Sequence, residues 1–408
     1  MRAAIRTRTL RRWSSAIAQE PLAWRHAGIF VPVGARQCRE KTAPKAPRSR
    51  VWDTLRLVAS SGGPGRCEFA LNNACNANCG FCNFARDKLP KERWEYAERQ
   101  GAFDAIDILF RQGIRYLVLT GGEPTLHPDL TDIIGYASGK GMKVMMVSNA
   151  GLFKPRRIRE YADAGLSSFV ISIDAATAEA HEENRGLPGV CDKIREANRE
   201  IASLGVIATA SVTLSRLLDI DALPPFLEDL GFECVTFSYP LTNLNSSFLG
   251  YRDSGLVDFT GDELIALFDK VKALKARTRL HVVNPTQSLD EMQRFVRNEP
   301  QKFPCLGGYR YFYLDWKLQL WRCHFWEKPL CSIYDFDDSK IVRDGCTRCM
   351  IDCYRDASTM QHIAVSAHDA VTSLKRGDLA GAAKALGRTG NGGSIHAVIE
   401  EMPWLMRF

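Results

Sequence analysis

The chain has 408 residues, 45% of them hydrophobic and 25% charged, an ordinary globular composition with ample length for a large core. No apolar run approaches the ~18 residues of a membrane span, so none is expected. Thirteen cysteines in so long a chain, without an evident signal peptide, do not fit a small secreted disulfide scaffold. They favour metal binding in a reducing, intracellular compartment.

Positive charge is concentrated in the amino-terminal extension. Residues 1–50 hold twelve basic and two acidic residues, a net charge of +10, whereas the rest holds 42 basic and 45 acidic residues. Residues 1–62 are therefore predicted to be a basic extension, partly disordered. Residues 1–19 are rich in arginine and free of acids, which also fits a mitochondrial targeting peptide. The expected location is cytoplasmic, with the mitochondrial matrix as the alternative, and no strong nucleic-acid signal appears because the body lacks a matching basic run.

Strands and helices are predicted to alternate through residues 63–284. The predicted strands are short and almost continuously apolar, and they cover residues 67–72, 116–120, 143–148, 168–174, 206–213, 232–238 and 279–283. The predicted helices cover residues 91–112, 128–140, 154–164, 189–204, 219–230 and 260–276. Short apolar strands joined by crossover helices indicate an α/β fold with a parallel sheet, as in a complete or partial TIM-type barrel.

The pattern changes after residue 284. Residues 309–315 and 318–323 are predicted to pair as a hairpin, although the turn between them lacks the usual Gly or Asn. Residues 285–356 are expected to form a small cysteine-rich domain. Residues 357–408 are predicted to be a helical tail, with helices at 364–375 and 378–386 and a glycine-rich break at 390–393.

Three cysteines follow the first predicted strand with the spacing C-x3-C-x2-C, namely Cys75, Cys79 and Cys82. In a 4Fe–4S cluster each iron is usually held by one thiolate, so three cysteines leave one iron open for another ligand. Zinc would need a fourth nearby Cys or His, but residues 60–95 contain no histidine, and Cys67 lies within the predicted strand. The sequence therefore favours an iron–sulfur site at the carboxyl end of the strands.

The stretch CNANCGFC, followed by LTGGEPTLHPDL, resembles the radical S-adenosylmethionine (SAM) enzymes. The resemblance implies a partial (β/α)6 barrel, a 4Fe–4S cluster on Cys75, Cys79 and Cys82, and SAM bound to the fourth iron. It also implies that one electron cleaves SAM to methionine and a 5′-deoxyadenosyl radical, which abstracts a substrate hydrogen. Such an enzyme needs an electron donor such as flavodoxin or ferredoxin.

The same resemblance implies SAM-binding roles for further residues. They are Phe81 beside the adenine, Gly121, Gly122 and Glu123 at the SAM amine, Ser172 and Asp174 at the ribose hydroxyls, and Arg185 at the SAM carboxylate. Glycines allow close backbone approach, a carboxylate accepts from an ammonium, and a guanidinium fork suits a carboxylate. Asp174 as a helix N-cap and Arg185 as a surface residue remain alternatives. No general acid or base is identified from the sequence.

The carboxy-terminal cysteines are similar to the SPASM or twitch extensions of radical SAM enzymes, which carry auxiliary clusters. Six cysteines are too few for the usual two-cluster pattern, so one auxiliary 4Fe–4S cluster is expected. Its ligands would come from Cys305, Cys323, Cys346, Cys349 and Cys353. Leu318 stands where such extensions often have glycine. Cys331 could be spare, a ligand or a catalytic thiol, and zinc remains an alternative.

Three functions remain open at this point. The main expectation is a radical SAM enzyme that performs oxidation, rearrangement or bond formation on a small molecule. The second is a maturase for a ribosomal peptide or protein, which residues 1–62 weigh against because they lack a clear peptide-recognition domain of ~80 residues. The third is a non-catalytic protein that binds zinc or nucleic acid.

Overall fold

The computed structural model describes residues 48–239, 242, 244–250 and 254–407. The expectations for residues 1–47, including the targeting peptide, lie outside the described residues. The first described element is a helix, α1 (Arg48–Ser61), in a region where the sequence showed no clear pattern. None of the described helices is long and apolar enough to cross a membrane.

The described strands form one sheet of ten strands. In chain order they are β1 (Gly65–Ala70), β2 (Ile114–Thr120), β3 (Lys143–Ser148), β4 (Leu166–Ile173), β5 (Ile207–Thr213), β6 (Cys234–Ser238), β7 (His281–Val282), β8 (Tyr311–Leu314), β9 (Gln319–Trp321) and β10 (Cys331–Ser332). Their order across the sheet is β10-β9-β8-β1-β2-β3-β4-β5-β6-β7. All neighbours from β8 to β7 run parallel, and the pairs β8–β9 and β9–β10 run antiparallel. The predicted parallel α/β barrel is confirmed.

Helices connect the strands and follow the last of them. They are α2 (Arg99–Arg111), α3 (Leu130–Gly139), α4 (Pro155–Asp163), α5 (Ala178–Arg185), α6 (Val190–Ser203), α7 (Leu223–Asp229), α8 (Gly261–Arg277), α9 (Thr286–Val296), α10 (Asp352–Lys375), α11 (Leu379–Leu386) and α12 (Gly390–Leu405). In α2 the buried Ala102, Ile106 and Leu109 follow the helical period, so one apolar face packs on the sheet.

One local expectation is corrected by tertiary packing. The glycine-rich stretch 390–393 is the first turn of α12, not a break. A Cβ at Gly390 would lie 2.8 Å from His362 Nε2, and one at Gly393 would lie 2.9 Å from the Phe303 ring, so these glycines let the helix pack closely. Leu318, where related extensions often have glycine, adopts the left-handed φ of 59° at the hairpin turn.

The parallel sheet is open, and α10 lies between strand β6 on one side of the opening and strand β1 on the other. On one side, the Asp352 carboxylate accepts a hydrogen bond from the backbone N–H of Tyr239, just after β6, at 3.2 Å. On the other side, the Cys353 carbonyl accepts one from Arg66 Nη1 on β1 at 2.8 Å. Consecutive residues of α10 therefore connect β6 with β1, and this helix closes the open side of the partial barrel.

Candidate active site

Most of the residues predicted to bind the cofactors line one cavity of about 360 Å³ inside the barrel. The cavity is bounded by the inward faces of β1–β6, the loops that follow them, and α10. The sequence-predicted residues in its lining are Cys75, Cys79, Phe81, Cys82, Gly121, Gly122, Glu123, Ser172, Arg185 and Cys353. Ser148 and Asn149, from the same rim, also line it. Asp174 and four carboxy-terminal cysteines lie outside this lining.

The loop that carries the three cysteines is tied to α5. The backbone N–H of Asn78 donates to the Arg185 carbonyl at 2.7 Å, and the N–H of Gly80 donates to Asn184 Oδ1 at 3.1 Å. Burial raises the pKa of the Cys75 thiol to about 12 and that of Cys79 to about 11. Such buried thiols must release their protons before they bind a metal. The positive charge of the metal would then stabilise the buried thiolates.

A single zinc ion and a 4Fe–4S cluster require different spacing of the cysteine sulfurs. In the described part of the chain, one group of three side chains is spaced to hold a single ion, with ligand atoms within 4.8 Å of one another: Glu68, His324 and Cys353. Neither the three-cysteine loop nor the other carboxy-terminal cysteines form such a group. One zinc with bonds of about 2.3 Å brings its thiolates to about 3.8 Å from one another. In a 4Fe–4S cluster each thiolate holds a different iron, so the thiolates need not lie that close together.

The two glycines after β2 allow the loop to lie against the start of the cysteine loop. The N–H of Gly122 donates to the Asn72 carbonyl at 3.0 Å, and that of Glu123 donates to the Ala74 carbonyl at 2.7 Å. A Cβ at Gly121 would lie 2.3 Å from the Asn72 oxygen, and one at Gly122 would lie 2.2 Å from the Ala74 oxygen. Glycine is required here by contact between the two loops.

The Glu123 carboxylate organises this rim. Its Oε1 accepts from the Thr125 N–H at 3.1 Å and from the Ser148 hydroxyl at 2.8 Å, and its Oε2 accepts from the Asn149 N–H at 2.8 Å. Burial raises the pKa of Glu123, although these donors oppose the shift. Oε2, with a single described donor, has the remaining capacity to accept from an ammonium group.

A buried ion pair supports the arginine of the site. Arg185 Nη2 lies 2.6 Å from Asp174 Oδ1, with the two side chains 7% and 0% exposed. Asn184 donates to the other oxygen of Asp174 at 2.8 Å. Arg185 is therefore not a surface residue, and Asp174 is not an N-cap, since Thr177 caps α5. Asp174 lies outside the cavity lining and holds Arg185 in position from there. The resemblance had instead implied that Asp174 contacts the ribose of SAM.

Sequence reasoning missed the polar residues that point into the barrel from the strands. They alternate with apolar residues along three strands: Arg66 and Glu68 on β1, Thr209, Ser211 and Thr213 on β5, and Thr236 and Ser238 on β6. Because alternate side chains of a strand face opposite sides, this period of two was the available signal. His324, Asp352 and Asp356, also in the lining, had no such local signal.

Four of the carboxy-terminal cysteines lie together, outside the cavity. They are Cys305, Cys323, Cys346 and Cys349. The N–H of Cys305 donates to the Cys346 carbonyl at 2.8 Å, and Cys323 and Cys349 share one apolar cluster. Burial raises the pKa of Cys323 to about 12 and that of Cys349 to about 11, with the neighbouring thiols adding to the shift. Cys353 packs against the same apolar cluster, but it also lines the cavity, where its thiol lies close to Glu68 and His324.

The fold and the cavity together define a class of protein. A partial parallel barrel presents three cysteines after its first strand, and a buried glutamate and a buried arginine share their cavity. This is the arrangement expected of enzymes that hold an iron–sulfur cluster and SAM. Residues 69–221 match the family model described as the radical SAM superfamily. Residues 69–221 therefore form a radical SAM domain, and the cofactors of this superfamily are a 4Fe–4S cluster and SAM.

Curated relatives match part of the chain. The AdoMet-dependent heme synthase of Methanosarcina barkeri is 30% identical over 138 residues, which cover 34% of this chain and 39% of the relative. The mycofactocin maturase MftC of Mycobacterium tuberculosis is 31% identical over 202 residues, which cover 49% of each chain. The chain thus spans less than half the length of these relatives.

Solved structures confirm the fold. Native anSMEcpe with bound AdoMet has a TM-score of 0.51 at 12% identity, covering 84% of this chain and 98% of that chain. Streptococcus suis SuiB bound to S-adenosylmethionine has a TM-score of 0.50 at 14% identity, covering 64% of this chain and 60% of that chain. At such low identity these similarities support the architecture alone.

Proposed function

We propose that this protein is a radical SAM enzyme that removes a hydrogen from a small molecule as part of an oxidation, rearrangement or bond-forming reaction. The observation that supports this most directly is the single cavity lined by the three cysteines, Glu123 and Arg185. When bound, the cluster and SAM supply the reductive cleavage that yields the 5′-deoxyadenosyl radical. A flavodoxin or ferredoxin is the proposed electron donor.

The residues of this chain would bind and orient SAM. The Arg185 guanidinium, which Asp174 holds in place, complements a carboxylate, and Glu123 Oε2 complements an ammonium. Phe81, 4% exposed in the cavity wall, offers an apolar surface for the adenine. The Ser172 hydroxyl lines the same wall and is suited to a ribose hydroxyl.

The size of the cavity favours a small substrate. Its volume of about 360 Å³ lies near the lower end of the range for ligand pockets. Because SAM must share this space, nothing larger than a small molecule or one side chain of a larger substrate could enter beside it. The second candidate is therefore a peptide or protein maturase, which the similarity to mycofactocin maturase MftC favours.

A second proposal concerns the carboxy-terminal cysteines. Cys305, Cys323, Cys346 and Cys349 supply four thiols, the number that a 4Fe–4S cluster takes. We infer that they hold an auxiliary cluster in residues 285–356, beside the barrel of residues 63–284. Such a cluster could accept an electron from a substrate radical or anchor the substrate. Zinc on the same four thiols is the alternative.

Anaerobic reconstitution with iron and sulfide tests the proposed function. The reconstituted chain is incubated with SAM and dithionite, and 5′-deoxyadenosine is measured by chromatography. Cys79→Ala is expected to abolish its formation. The matched control is Cys331→Ser, because Cys331 lies on β10 among charged neighbours, apart from the cavity lining. Bound zinc without SAM cleavage in the wild-type chain would overturn the proposal.

A further inference from the structure

The α10 end of the cavity carries two carboxylates that lack a basic partner. Asp352 and Asp356 lie one turn apart on α10, and both line the cavity. In the described part of the chain neither takes part in a salt bridge. Asp352 accepts from the Ser238 hydroxyl at 3.3 Å and from the Tyr239 N–H at 3.2 Å. Asp356 accepts from Asn284 Nδ2 at 2.8 Å and from the Ser288 hydroxyl.

Two other carboxylates enclosed in the protein do have cations, whereas Glu123 at the SAM end has only neutral donors. Asp174 is paired with Arg185, and Glu401 lies 2.7 Å from Lys275 Nζ. An unpaired carboxylate loses hydration on burial, and this raises the pKa of Asp356 to about 6 although Ser288, Asn284 and Lys275 oppose the shift. Two such groups side by side destabilise the ligand-free protein and are typical of functional sites.

The basic residues of the cavity are already committed. Arg66 Nη2 lies 2.6 Å from Glu68 Oε1, and Arg185 is held by Asp174. Although burial opposes ionisation of Glu68, Arg66 and His324 hold its pKa at about 2, so the Arg66–Glu68 pair carries no net charge at neutral pH. No cation of the cavity lining is therefore left in the described residues to compensate the carboxylates on α10.

Four buried polar atoms of cavity-lining residues lack a hydrogen bond in the described structure: Arg66 Nε, Arg185 Nε, Thr209 Oγ1 and His324 Nδ1. The two arginine side chains are ion-paired through another nitrogen. Thr209 Oγ1 and His324 Nδ1 have no charged partner at that atom and belong to side chains only 3% and 2% exposed. Because buried polar atoms are normally satisfied, these two atoms indicate that a polar ligand completes the wall.

We propose that the α10 end of the cavity binds the cationic group of the substrate, an alkylammonium or guanidinium, through Asp352 and Asp356. This proposal rests on the proposed function, because it assigns the substrate class of the same cavity. A cation at this position makes charge-assisted hydrogen bonds to both carboxylates. The bound substrate would thereby supply the positive charge that Asp352 and Asp356 do not receive from the described part of the chain.

Binding of simple amines tests the proposal without turnover. The reconstituted full chain with SAM, but without reductant, is titrated with agmatine and n-butylamine, and with n-butanol and butyrate as neutral and anionic probes. The thermal unfolding midpoint reports binding. The amines are expected to raise the midpoint in a saturable manner, and n-butanol and butyrate to leave it unchanged. Equal responses to all four probes would overturn the proposal.

Variants locate the amine in the cavity. Asp352→Asn keeps an acceptor for the Tyr239 N–H and is expected to weaken amine binding at least about tenfold. Asp356→Asn is the second variant, should the first fail to fold. Asp262→Asn, an exposed charge at the start of α8, is the matched control and should bind amines normally. Unchanged amine binding in both cavity variants would overturn the proposal.

SAM binding and 5′-deoxyadenosine formation separate this proposal from the proposed function. SAM carries a sulfonium, so a loss of SAM affinity in Asp352→Asn, with amine binding intact, would mean that the carboxylates serve SAM and would overturn the substrate assignment. If the wild-type chain cleaves SAM but binds no amine, the substrate assignment alone fails. If it binds amines selectively but never cleaves SAM, the proposed function fails and the amine site remains.

Discussion

Substitution of Gly122 by alanine is expected to separate the two loops that form the SAM side of the cavity. The new Cβ would lie 2.2 Å from the Ala74 carbonyl oxygen and 3.0 Å from that of Asn73. Both neighbours are backbone atoms, so a side-chain rotation cannot relieve the contact. The loops must move apart, and this strains or breaks the hydrogen bonds from Gly122 to Asn72 and from Glu123 to Ala74.

The magnitude follows from these contacts. Two lost hydrogen bonds cost about 1–3 kcal/mol. Forcing a methyl group into a packed site costs about 1–3 kcal/mol more. The free energy of unfolding is therefore expected to fall by about 2–6 kcal/mol. Displacement of Glu123 should also weaken SAM binding at least about tenfold, an effect of about 1.4 kcal/mol.

Urea unfolding and equilibrium dialysis with SAM measure the two effects. Gly139→Ala is the matched control, because a Cβ at the end of α3 would meet nothing within 4 Å. This control should be neutral or more stable by up to about 1 kcal/mol, as expected for alanine in a helix. If Gly122→Ala changes stability by less than about 0.5 kcal/mol, the typical effect of a surface substitution, the steric argument is refuted.

Three further predictions concern other parts of the site. After reconstitution, Cys349→Ser should lose about four irons per chain and Cys353→Ser should lose none, so equal losses in an iron assay would contradict the assignment. Asp174→Asn should raise the SAM dissociation constant at least about tenfold because Arg185 loses its charged partner, and unchanged dialysis results would refute this positioning role. Burial lowers the pKa of His181 to about 4, so the unfolded chain takes up a proton first as pH falls from about 6.5 to about 4. The free energy of unfolding of the wild-type chain should fall by up to about 3 kcal/mol in that window. Urea unfolding of His181→Asn should show a smaller pH-dependent loss. Equal losses in the two proteins would contradict the assignment of this pH dependence to His181.

The sequence was sufficient for features with local signals. β3 (Lys143–Ser148) was predicted at its observed bounds because it is a short apolar run between helices. The three-cysteine loop could also be identified, because its spacing reflects chemistry within eight residues. By contrast, α5 was not among the predicted helices, because most of its residues are polar and show no apolar face. The local signals that could have indicated it were the Thr177 cap and Gly186, which ends the helix in the left-handed conformation.

The substrate end of the cavity could not be predicted in this way. Asp352 reaches Ser238 across 114 positions of sequence, and Asp356 reaches Asn284 across 72. No local periodicity specifies such contacts, because they depend on how α10 crosses the open side of the barrel. The same limit explains the glycine-rich stretch at 390–393, which is helical only because α12 packs against His362 and Phe303.

The course of the chain links the auxiliary cysteines to the substrate end of the cavity. Cys349 belongs to the group of four cysteines, and α10 begins at Asp352. Cys353 places its thiol in the cavity wall while its carbonyl accepts from Arg66 on β1. Metal binding at Cys349 would therefore fix the start of the helix that carries Asp352 and Asp356. The two ends of the cavity thus depend on different parts of the chain: the SAM end on local loops of the barrel, and the substrate end on the auxiliary region.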